Sequence, residues 1–329
     1  MAERKMNLLV TGGCGFIGSN FIRYELEKYS SINIVNLDKL TYAGNLENLL
    51  DVQKNYEKRY TFIKGDILDA ELVRQIIVEN RIDIITNFAA ESHVDRSIID
   101  SSEFMKTNIL GVQTLLEITK QAGVKRFIQI STDEVYGDIP DEGYFREETS
   151  IAPNSPYAAS KASADMLVGA YYHTYQLPVI ITRCSNNYGP YQFPEKLIPL
   201  MVTNALQSKT LPIYGDGTNV RDWIHVIDHA RAVDLVLQRG EIGGIYNIGA
   251  SNEKTNIEIA MFILKQLGKP EILIKFVKDR LGHDRRYAIN AEKIKKALGW
   301  KPVYDFEDGL KQTISWYIKN ENWWKKIVV

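Results

Sequence analysis

Residues 6–18 read MNLLVTGGCGFIG, and this stretch decides the fold. It begins as the short apolar run of a buried strand and continues into a helical segment that extends to about residue 27. Gly12, Gly15 and Gly18 keep the spacing Gly-x-x-Gly-x-x-Gly between the two. Glycines at this spacing permit a tight turn, close approach of the backbone to a pyrophosphate, and close packing of helix on strand. The stretch therefore predicts a turn that binds a dinucleotide.

A second apolar strand is predicted at residues 32–37, and it ends at Asp38, twenty positions after Gly18. An acidic residue there accepts hydrogen bonds from the ribose hydroxyls of the adenosine half and repels a 2′-phosphate. Lys39 stands beside Asp38 and could tolerate a phosphate, but the acidic residue favours NAD over NADP. NAD is therefore the expected cofactor.

Strand and helix patterns then alternate along the chain. Strands are predicted at 60–64, 82–88, 127–130 and 179–182, and helices at about 69–79, 104–121 and 157–175. This alternation predicts an α/β fold with a doubly wound, parallel (Rossmann-type) sheet.

The texture of the sequence changes after residue 185. Gly, Pro, Asn and Tyr cluster at 186–194 and again at 212–217, so loops rather than a regular sheet are expected there. We predict a dinucleotide-binding domain at 1–185, with a later return near 222–250. Residues 186–329 would form mainly a smaller α+β C-terminal domain that binds the substrate.

Composition limits the kind of partner. The 329 residues are 45% hydrophobic and 25% charged, with a net charge of −1. Such a chain can bury a large core, and it has no long basic run that would bind nucleic acid or an anionic membrane. No apolar run approaches the ~20 residues that cross a bilayer. A small molecule is the expected partner.

The cysteines and the start of the chain bear on compartment and metal chemistry. Cys14 and Cys184 are the only cysteines, and neither they nor the five histidines show metal-ligand spacing, so no metal is expected. The charged residues 1–5 stand where a signal peptide would begin. These features predict reduced thiols and a cytoplasmic protein.

Two motifs carry the candidate chemistry. Residues 130–137 read ISTDEVYG and place Asp133 and Glu134 after a predicted strand, where open α/β folds carry catalytic groups. The run YAASK begins at Tyr157 and ends at Lys161, just inside a predicted helix. Four residues apart on a helix, the two share a face, so the ammonium can stabilise a phenolate that acts as a base near neutral pH. Two carboxylates beside redox residues indicate oxidation that makes elimination of water possible.

Further along, Arg221 and the run DRLGHDRR at 279–286 add candidate phosphate ligands. Guanidinium groups bind phosphate oxygens in pairs, which suits these arginines to a small phosphorylated ligand.

The chain resembles the extended short-chain dehydrogenase/reductases along essentially its full length. The matching blocks are TGGCGFIG from Thr11, DKLTYAGNL from Asp38, AAESHVDRS from Ala89 and STDEVYG from Ser131. Within that family the blocks are similar to members that dehydrate a nucleotide-activated glucose. The resemblance implies NAD, dTDP-glucose as substrate, a product for 6-deoxysugar such as rhamnose synthesis, and a homodimer paired through the long helices.

The resemblance also implies roles for individual residues. The catalytic residues would be Thr132, Asp133, Glu134, Tyr157 and Lys161. The cofactor would be bound by Gly12, Gly15, Phe16, Ile17, Gly18, Asp38, Lys39, Thr41, Asp66, Ile67, Ala89, Ala90, Ser92, Thr107, Tyr157, Lys161 and Asn187. The substrate would be bound by Ser92, His93, Thr132, Asn186, Lys196, Leu197, Pro212, Tyr214, Arg221, Asn256, Arg280 and His283. Ala158 stands where Ser is common and Leu281 where Pro is common, and neither has a chemical role.

Other functions share part of this pattern. A nucleotide-sugar 4-epimerase would use Tyr157 and Lys161 but needs no acid and base at C5 and C6, so Asp133 and Glu134 discriminate against it. Spacing alone does not exclude a decarboxylase, nor does it distinguish dTDP from UDP or CDP. A regulator on an inactive reductase fold could dispense with the Tyr/Lys pair.

Overall fold

The computed structural model describes residues 6–139 and 142–327, so the charged start at 1–5 lies outside the described residues. The strands are β1 Met6–Thr11, β2 Ile32–Asp38, β3 Tyr60–Lys64, β4 Ile84–Asn87, β5 Arg126–Thr132, β6 Val179–Cys184, β7 Asn186–Tyr188, β8 Leu211–Tyr214, β9 Val220–His225, β10 Ile245–Ile248, β11 Glu253–Thr255 and β12 Ile274–Val277. The α-helices are α1 Phe16–Lys28, α2 Leu50–Asn55, α3 Ala70–Glu79, α4 Val94–Ile99, α5 Ser102–Phe104, α6 Val112–Ala122, α7 Pro156–Tyr175, α8 Leu197–Leu206, α9 Val226–Arg239, α10 Asn256–Leu267, α11 Glu292–Leu298, α12 Phe306–Lys319 and α13 Glu321–Lys325. A π-helix spans Met105–Gly111, and 3₁₀ turns span Leu46–Leu49, Asp133–Tyr136 and Glu271–Leu273.

A seven-stranded sheet in the order β10-β6-β5-β4-β1-β2-β3 forms the centre of the described part of the chain. Every pair of adjacent strands in this sheet is parallel. Helices cover both faces, so the middle of β1 is apolar on both sides: Leu8 and Val10 pack into one core cluster and Leu9 into the other. The predicted doubly wound fold is confirmed. The strand order reverses between β1 and β4, and a ligand crevice is expected at that point.

The helix predicted at 104–121 is interrupted in the structure. Its first part is the π-helix Met105–Gly111, and α6 follows it. A π-helical turn shifts the side chains that follow, and such turns are frequent at functional sites. Here Asn108 donates hydrogen bonds to Ser160 Oγ at 2.8 Å and to the carbonyl of Glu91 at 3.0 Å. The π-helix thus fastens the start of α7 to the loop after β4.

The prediction of loops at 186–194 and 212–217 was wrong for part of each segment. β7 pairs with β9, which pairs in turn with β11, and β8 pairs with β12. Strands of three or four residues carry too little pattern to be recognised, and pairing with distant segments decides their conformation. Around them lies a separate core cluster that includes Trp324.

The chain returns to the large sheet after β9. Helix α9 packs against α1, and β10 adds the last parallel strand beside β6. Within the described residues, each helix is too short or too polar to cross a membrane. The boundary of the two domains at residue 185 stays a prediction.

Candidate active site

An elongated cavity lies at the carboxyl ends of the parallel strands, across the point where the strand order reverses. Twenty-two of the predicted site residues line it, from both the first and the second half of the chain. They are Gly12, Gly15, Phe16, Ile17, Gly18, Asp38, Lys39, Thr41, Asp66, Ile67, Ala89, Ala90, Ser92, Thr107, Thr132, Asp133, Glu134, Tyr157, Lys161, Asn186, Asn187 and Lys196. We call this space the site cavity.

The glycine turn is shaped to receive a pyrophosphate. A Cβ on Gly12 would lie 2.5 Å from the Ala89 nitrogen, and one on Gly18 would lie 2.5 Å from the Gly12 carbonyl oxygen, so only glycine fits at either position. No side chain of the described residues caps the first turn of α1, whose N-cap is Gly15. The N–H groups and the dipole of that turn are therefore available to an anion, and the turn fits a dinucleotide.

Asp38 joins this turn to the end of β2. Its carboxylate accepts hydrogen bonds from the backbone N–H groups of Cys14 and Leu40, each at 2.8 Å. Burial raises the pKa of Asp38, and these two hydrogen bonds oppose the rise. Lys39 forms an ion pair with Asp66 at 2.8 Å. The cation that could have tolerated a 2′-phosphate is thus already engaged by a carboxylate.

Local sequence explains how Tyr157 and Lys161 come to face the cavity. Ser155 caps α7 by accepting a hydrogen bond from the Ala158 N–H at 3.1 Å, and Pro156 occupies the first turn. Tyr157 and Lys161 are then buried on one face of the helix. The Lys161 ammonium donates to the carbonyl of Ile130 at 2.6 Å, which holds it against the end of β5.

The surroundings of Tyr157 favour the neutral phenol. Burial raises its pKa well above the usual range, and Glu134 adds to the rise, while the Thr132 hydroxyl lowers it. The ammonium group of Lys161 lies one turn further along α7, on the same helix face as Tyr157. Any use of Tyr157 as a base therefore depends on Lys161 retaining its charge.

Asp133 and Glu134 follow β5 in a 3₁₀ turn, which Thr132 caps by accepting the Glu134 N–H at 3.3 Å. Asp133 is buried, and its Oδ1 accepts the Thr132 hydroxyl at 3.2 Å, while its Oδ2 has no partner among the described residues. Burial raises the pKa of Asp133 well above its usual range, and Glu134 and Asp222 raise it further. Burial also raises the pKa of Glu134, but Arg280, Arg221 and Lys196 oppose that rise. The surroundings of the two carboxyl groups are therefore unequal, because burial favours the neutral form of Asp133 while three cations favour the ionised form of Glu134.

Cations approach Glu134 from the far side of the cavity. Lys196 donates to the carbonyl of Ser92 at 2.7 Å, and Arg221 donates to the carbonyl of Asp284 at 2.9 Å. Arg221 is buried and Lys196 is partly buried, and desolvation lowers the pKa of each. The carbonyl groups that hold these two side chains are neutral, so the cations are suited to an anionic ligand.

Three predicted substrate residues meet outside the site cavity. Tyr214 donates to Asp95 Oδ2 at 3.1 Å, and Arg280 forms an ion pair with Asp95 Oδ1 at 3.7 Å. The ring of His283 packs edge-on against Tyr214 at 6.2 Å. His93 is the N-cap of α4, and its Nε2 lies 3.6 Å from Glu195 Oε2.

We call the part of the chain around the separate core cluster that includes Trp324 the smaller body. The remaining predicted substrate residues lie there. Leu197 packs against its core, Pro212 lies within β8 and Asn256 begins α10. Their assignment stays a prediction.

Sequence reasoning missed other residues that line the site cavity. They are Leu37, Ala43, Gly44, Gly65, Phe88, Glu91, Ile130, Ser131, Cys184, Ser185, Gln192, Phe193 and Glu195. Most adjoin a residue that was predicted, so adjacency was the available signal. Cys184 had no such signal, since it reaches the cavity only because β6 pairs with β5.

Comparison with known proteins agrees with this geometry. A family profile described as GDP-mannose 4,6 dehydratase matches residues 9–313. A dTDP-glucose 4,6-dehydratase of Xanthomonas campestris pv. campestris (strain B100) is 50% identical over 333 residues, covering 96% of this chain and 94% of that protein. The chain belongs to the dTDP-glucose 4,6-dehydratase family. The resemblance inferred from the sequence blocks is thereby confirmed.

Solved structures of this family superpose closely on the chain. The dTDP-glucose 4,6-dehydratase from Bacillus anthracis str. Ames, in complex with NAD, is 56% identical with a TM-score of 0.92, covering 98% of this chain and 99% of that one. The enzyme from Streptomyces venezuelae, with NAD and a further ligand bound, is 51% identical with a TM-score of 0.95, covering 98% and 100%.

Proposed function

We propose that this protein dehydrates dTDP-glucose to dTDP-4-keto-6-deoxyglucose. The reaction oxidises C4, eliminates water across C5 and C6, and returns the hydride to C6. The observation that carries the proposal is the pair Asp133 and Glu134 beside Tyr157. Asp133 is buried and Glu134 partly buried, and their surroundings shift the two pKa values unequally. An epimerase has no use for an acid and a base at this position.

NAD is the cofactor, as Asp38 predicted, and both solved relatives hold it. The glycine turn and Asp38 would hold NAD, which would supply the hydride chemistry of the reaction. The chain supplies the proton transfers that accompany these steps. Tyr157 accepts the proton of the 4-hydroxyl, Thr132 holds that hydroxyl, and the Lys161 ammonium stabilises the phenolate. The shared helix face of Tyr157 and Lys161 supports these roles.

Oxidation at C4 acidifies the hydrogen on C5, and the two carboxyl groups complete the elimination. Glu134 accepts the C5 proton, because Arg280, Arg221 and Lys196 favour its ionised form. Asp133 donates a proton to the departing 6-hydroxyl, because burial raises its pKa and so favours its protonated form. The cationic side chains of Lys196 and Arg221, each held by a carbonyl group, support binding of the substrate diphosphate.

The test incubates purified protein with dTDP-glucose, without added NAD, and weighs the sugar nucleotide by mass spectrometry. Loss of one water is the expected result, because the hydride that leaves C4 returns within the same turnover. Parallel incubations with UDP-glucose and CDP-glucose show which nucleotide the protein accepts. Unchanged mass for all three substrates, with NAD supplied, would exclude a 4,6-dehydratase of these sugars. We also propose that the product is used for synthesis of a 6-deoxysugar such as rhamnose.

We further propose a homodimer that pairs the helices near 104–121 and 157–175 of two subunits. On these helices Leu110 is 53% exposed and Met166 is 62% exposed. Exposed apolar residues on both helices support an interface, and pairing about a twofold axis would bury them in both copies. The free, buried thiols of Cys14 and Cys184 support a reducing, cytoplasmic location.

Substituting both Leu110 and Met166 with Glu should convert the dimer to a monomer in analytical ultracentrifugation, because the charges would be buried without partners. Ile272→Glu is the matched control, since Ile272 is 88% exposed and lies on the smaller body. It should leave the dimer intact. A wild-type protein that sediments as a monomer would overturn the proposed assembly.

A further inference from the structure

Asp165 and Arg183 form a buried ion pair that the proposed proton transfers do not use. The Arg183 Nε lies 2.9 Å from Asp165 Oδ2, and the two side chains are 3% and 0% exposed. A fully desolvated ion pair gives little net stability, because loss of hydration offsets the attraction between the charges. Its place in the molecule therefore calls for an explanation.

That place is directly behind the Tyr157 and Lys161 pair. Asp165 stands four residues after Lys161 and eight after Tyr157 on α7, so the three side chains share one helix face. Arg183 lies on β6, one residue before Cys184, which lines the site cavity. Phenol, ammonium, carboxylate and guanidinium thus follow one another from the cavity into the core.

The pair is braced on its far side. The guanidinium of Arg183 lies over the ring of Tyr136, 4.8 Å from its centre, and the Tyr136 hydroxyl donates to Asn247 Oδ1 at 2.8 Å. Asp165 Oδ1 is buried and has no hydrogen-bond partner among the described residues. One carboxylate oxygen is therefore committed to Arg183, and Ser131 and the Lys161 ammonium also favour the ionised carboxylate.

We propose that Asp165 is a positioning residue that keeps the Lys161 ammonium charged, with Arg183 holding the Asp165 carboxylate in its ionised form. This role rests on the proposed function, in which Lys161 stabilises the Tyr157 phenolate. It extends the Tyr/Lys pair into a row of four alternating charges along α7 and β6.

The charges around Lys161 agree with this role. Burial lowers the pKa of Lys161, and Asp165 is the first of the groups that oppose the fall, followed by Cys184 of β6. Burial raises the pKa of Cys184 to about 12, so its thiol is neutral and supplies no anion near pH 7. Asp133 and Glu134, from the turn after β5, face Tyr157. Arg183 in turn lowers the pKa of Asp165 against the effect of burial.

The experiment measures the pKa of Lys161 itself, from the NMR shift of its Cε in protein with isotope-labelled lysine. The signal is assigned by its absence in Lys161→Met. In Asp165→Asn the pKa of Lys161 should fall by about one unit or more. The variant removes an opposite charge one helical turn away, and a nearby opposite charge shifts a pKa by about 1–3 units. The alkaline limb of the pH profile for dTDP-glucose dehydration should move to lower pH with it.

Two further variants separate this effect from a loss of structure. Asp165→Asn leaves Arg183 buried without a partner, so the double variant Asp165→Asn with Arg183→Met removes both charges together and restores neutrality. It should show the same fall in the pKa of Lys161. Asp234→Asn is the matched control. Asp234 is also a buried carboxylate, and from α9 it forms an ion pair at 2.5 Å with Lys28 of α1. It should leave the titration of Lys161 unchanged.

If the pKa of Lys161 equals the wild-type value in both Asp165 variants, the proposal is overturned. The titration needs no substrate, so it decides the role of Asp165 even if the wild-type protein fails to dehydrate dTDP-glucose. That second failure would concern the proposed function alone. A loss of turnover at every pH without movement of the alkaline limb would show a merely structural role.

Discussion

Tyr157→Phe should slow oxidation at C4 by about 10²- to 10⁴-fold, the usual contribution of a positioned general base. The substitution removes one hydroxyl at nearly constant volume, so α7 and its cap at Ser155 should persist. Hydride cannot leave C4 readily unless the 4-hydroxyl proton leaves as well. The measurement is the nicotinamide absorbance of NADH after dTDP-glucose is mixed with NAD-loaded protein.

The control for this prediction is Tyr246→Phe. Tyr246 is also a buried tyrosine, but its hydroxyl accepts the Glu241 N–H at the edge of the sheet, away from the site cavity. This variant should oxidise the substrate at the wild-type rate. Wild-type oxidation by Tyr157→Phe would assign the base to another residue.

Glu134→Gln and Asp133→Asn should each stop the loss of water while leaving oxidation at C4 in place. The expected fall in the rate of elimination is about 10²- to 10⁴-fold for either variant. Neither carboxyl group takes part in removing the 4-hydroxyl proton, so both variants should bind NAD and form NADH on mixing with dTDP-glucose. Mass spectrometry should find no dehydrated product. Water loss at the wild-type rate in both variants would show that the pair has no part in elimination.

Isotopes give the same prediction in the wild-type protein. In deuterium oxide the product should carry solvent deuterium at C5, because Glu134 exchanges the proton that it removes. Deuterium supplied at C4 of the substrate should be found at C6 of the product. An epimerase would return the label to C4 and leave C5 unexchanged, so NMR of the product separates the two activities.

Much of the fold could be predicted because its signals are local. The glycine turn, the apolar strands before it and after it, and the capped start of α7 each depend on residues within one or two turns of one another. The spacing of Tyr157 and Lys161 likewise placed both on one helix face. The prediction failed at β7 and β8, where a few residues with loop composition become strands because they pair with β9 and β12.

The sequence by itself determined the doubly wound class, the dinucleotide turn and the candidate residues of the cavity, since periodicity and motif spacing act over short ranges. Only the tertiary structure decided how charged those residues are. Asp133 differs from Glu134, its neighbour in the chain, because Arg280 and Lys196 oppose the rise in the pKa of Glu134, whereas Glu134 and Asp222 add to the rise for Asp133. Asp165 meets Arg183 only because β6 lies beside α7. Desolvation and long-range pairing depend on what the folded chain brings together, and no local pattern of residues records them.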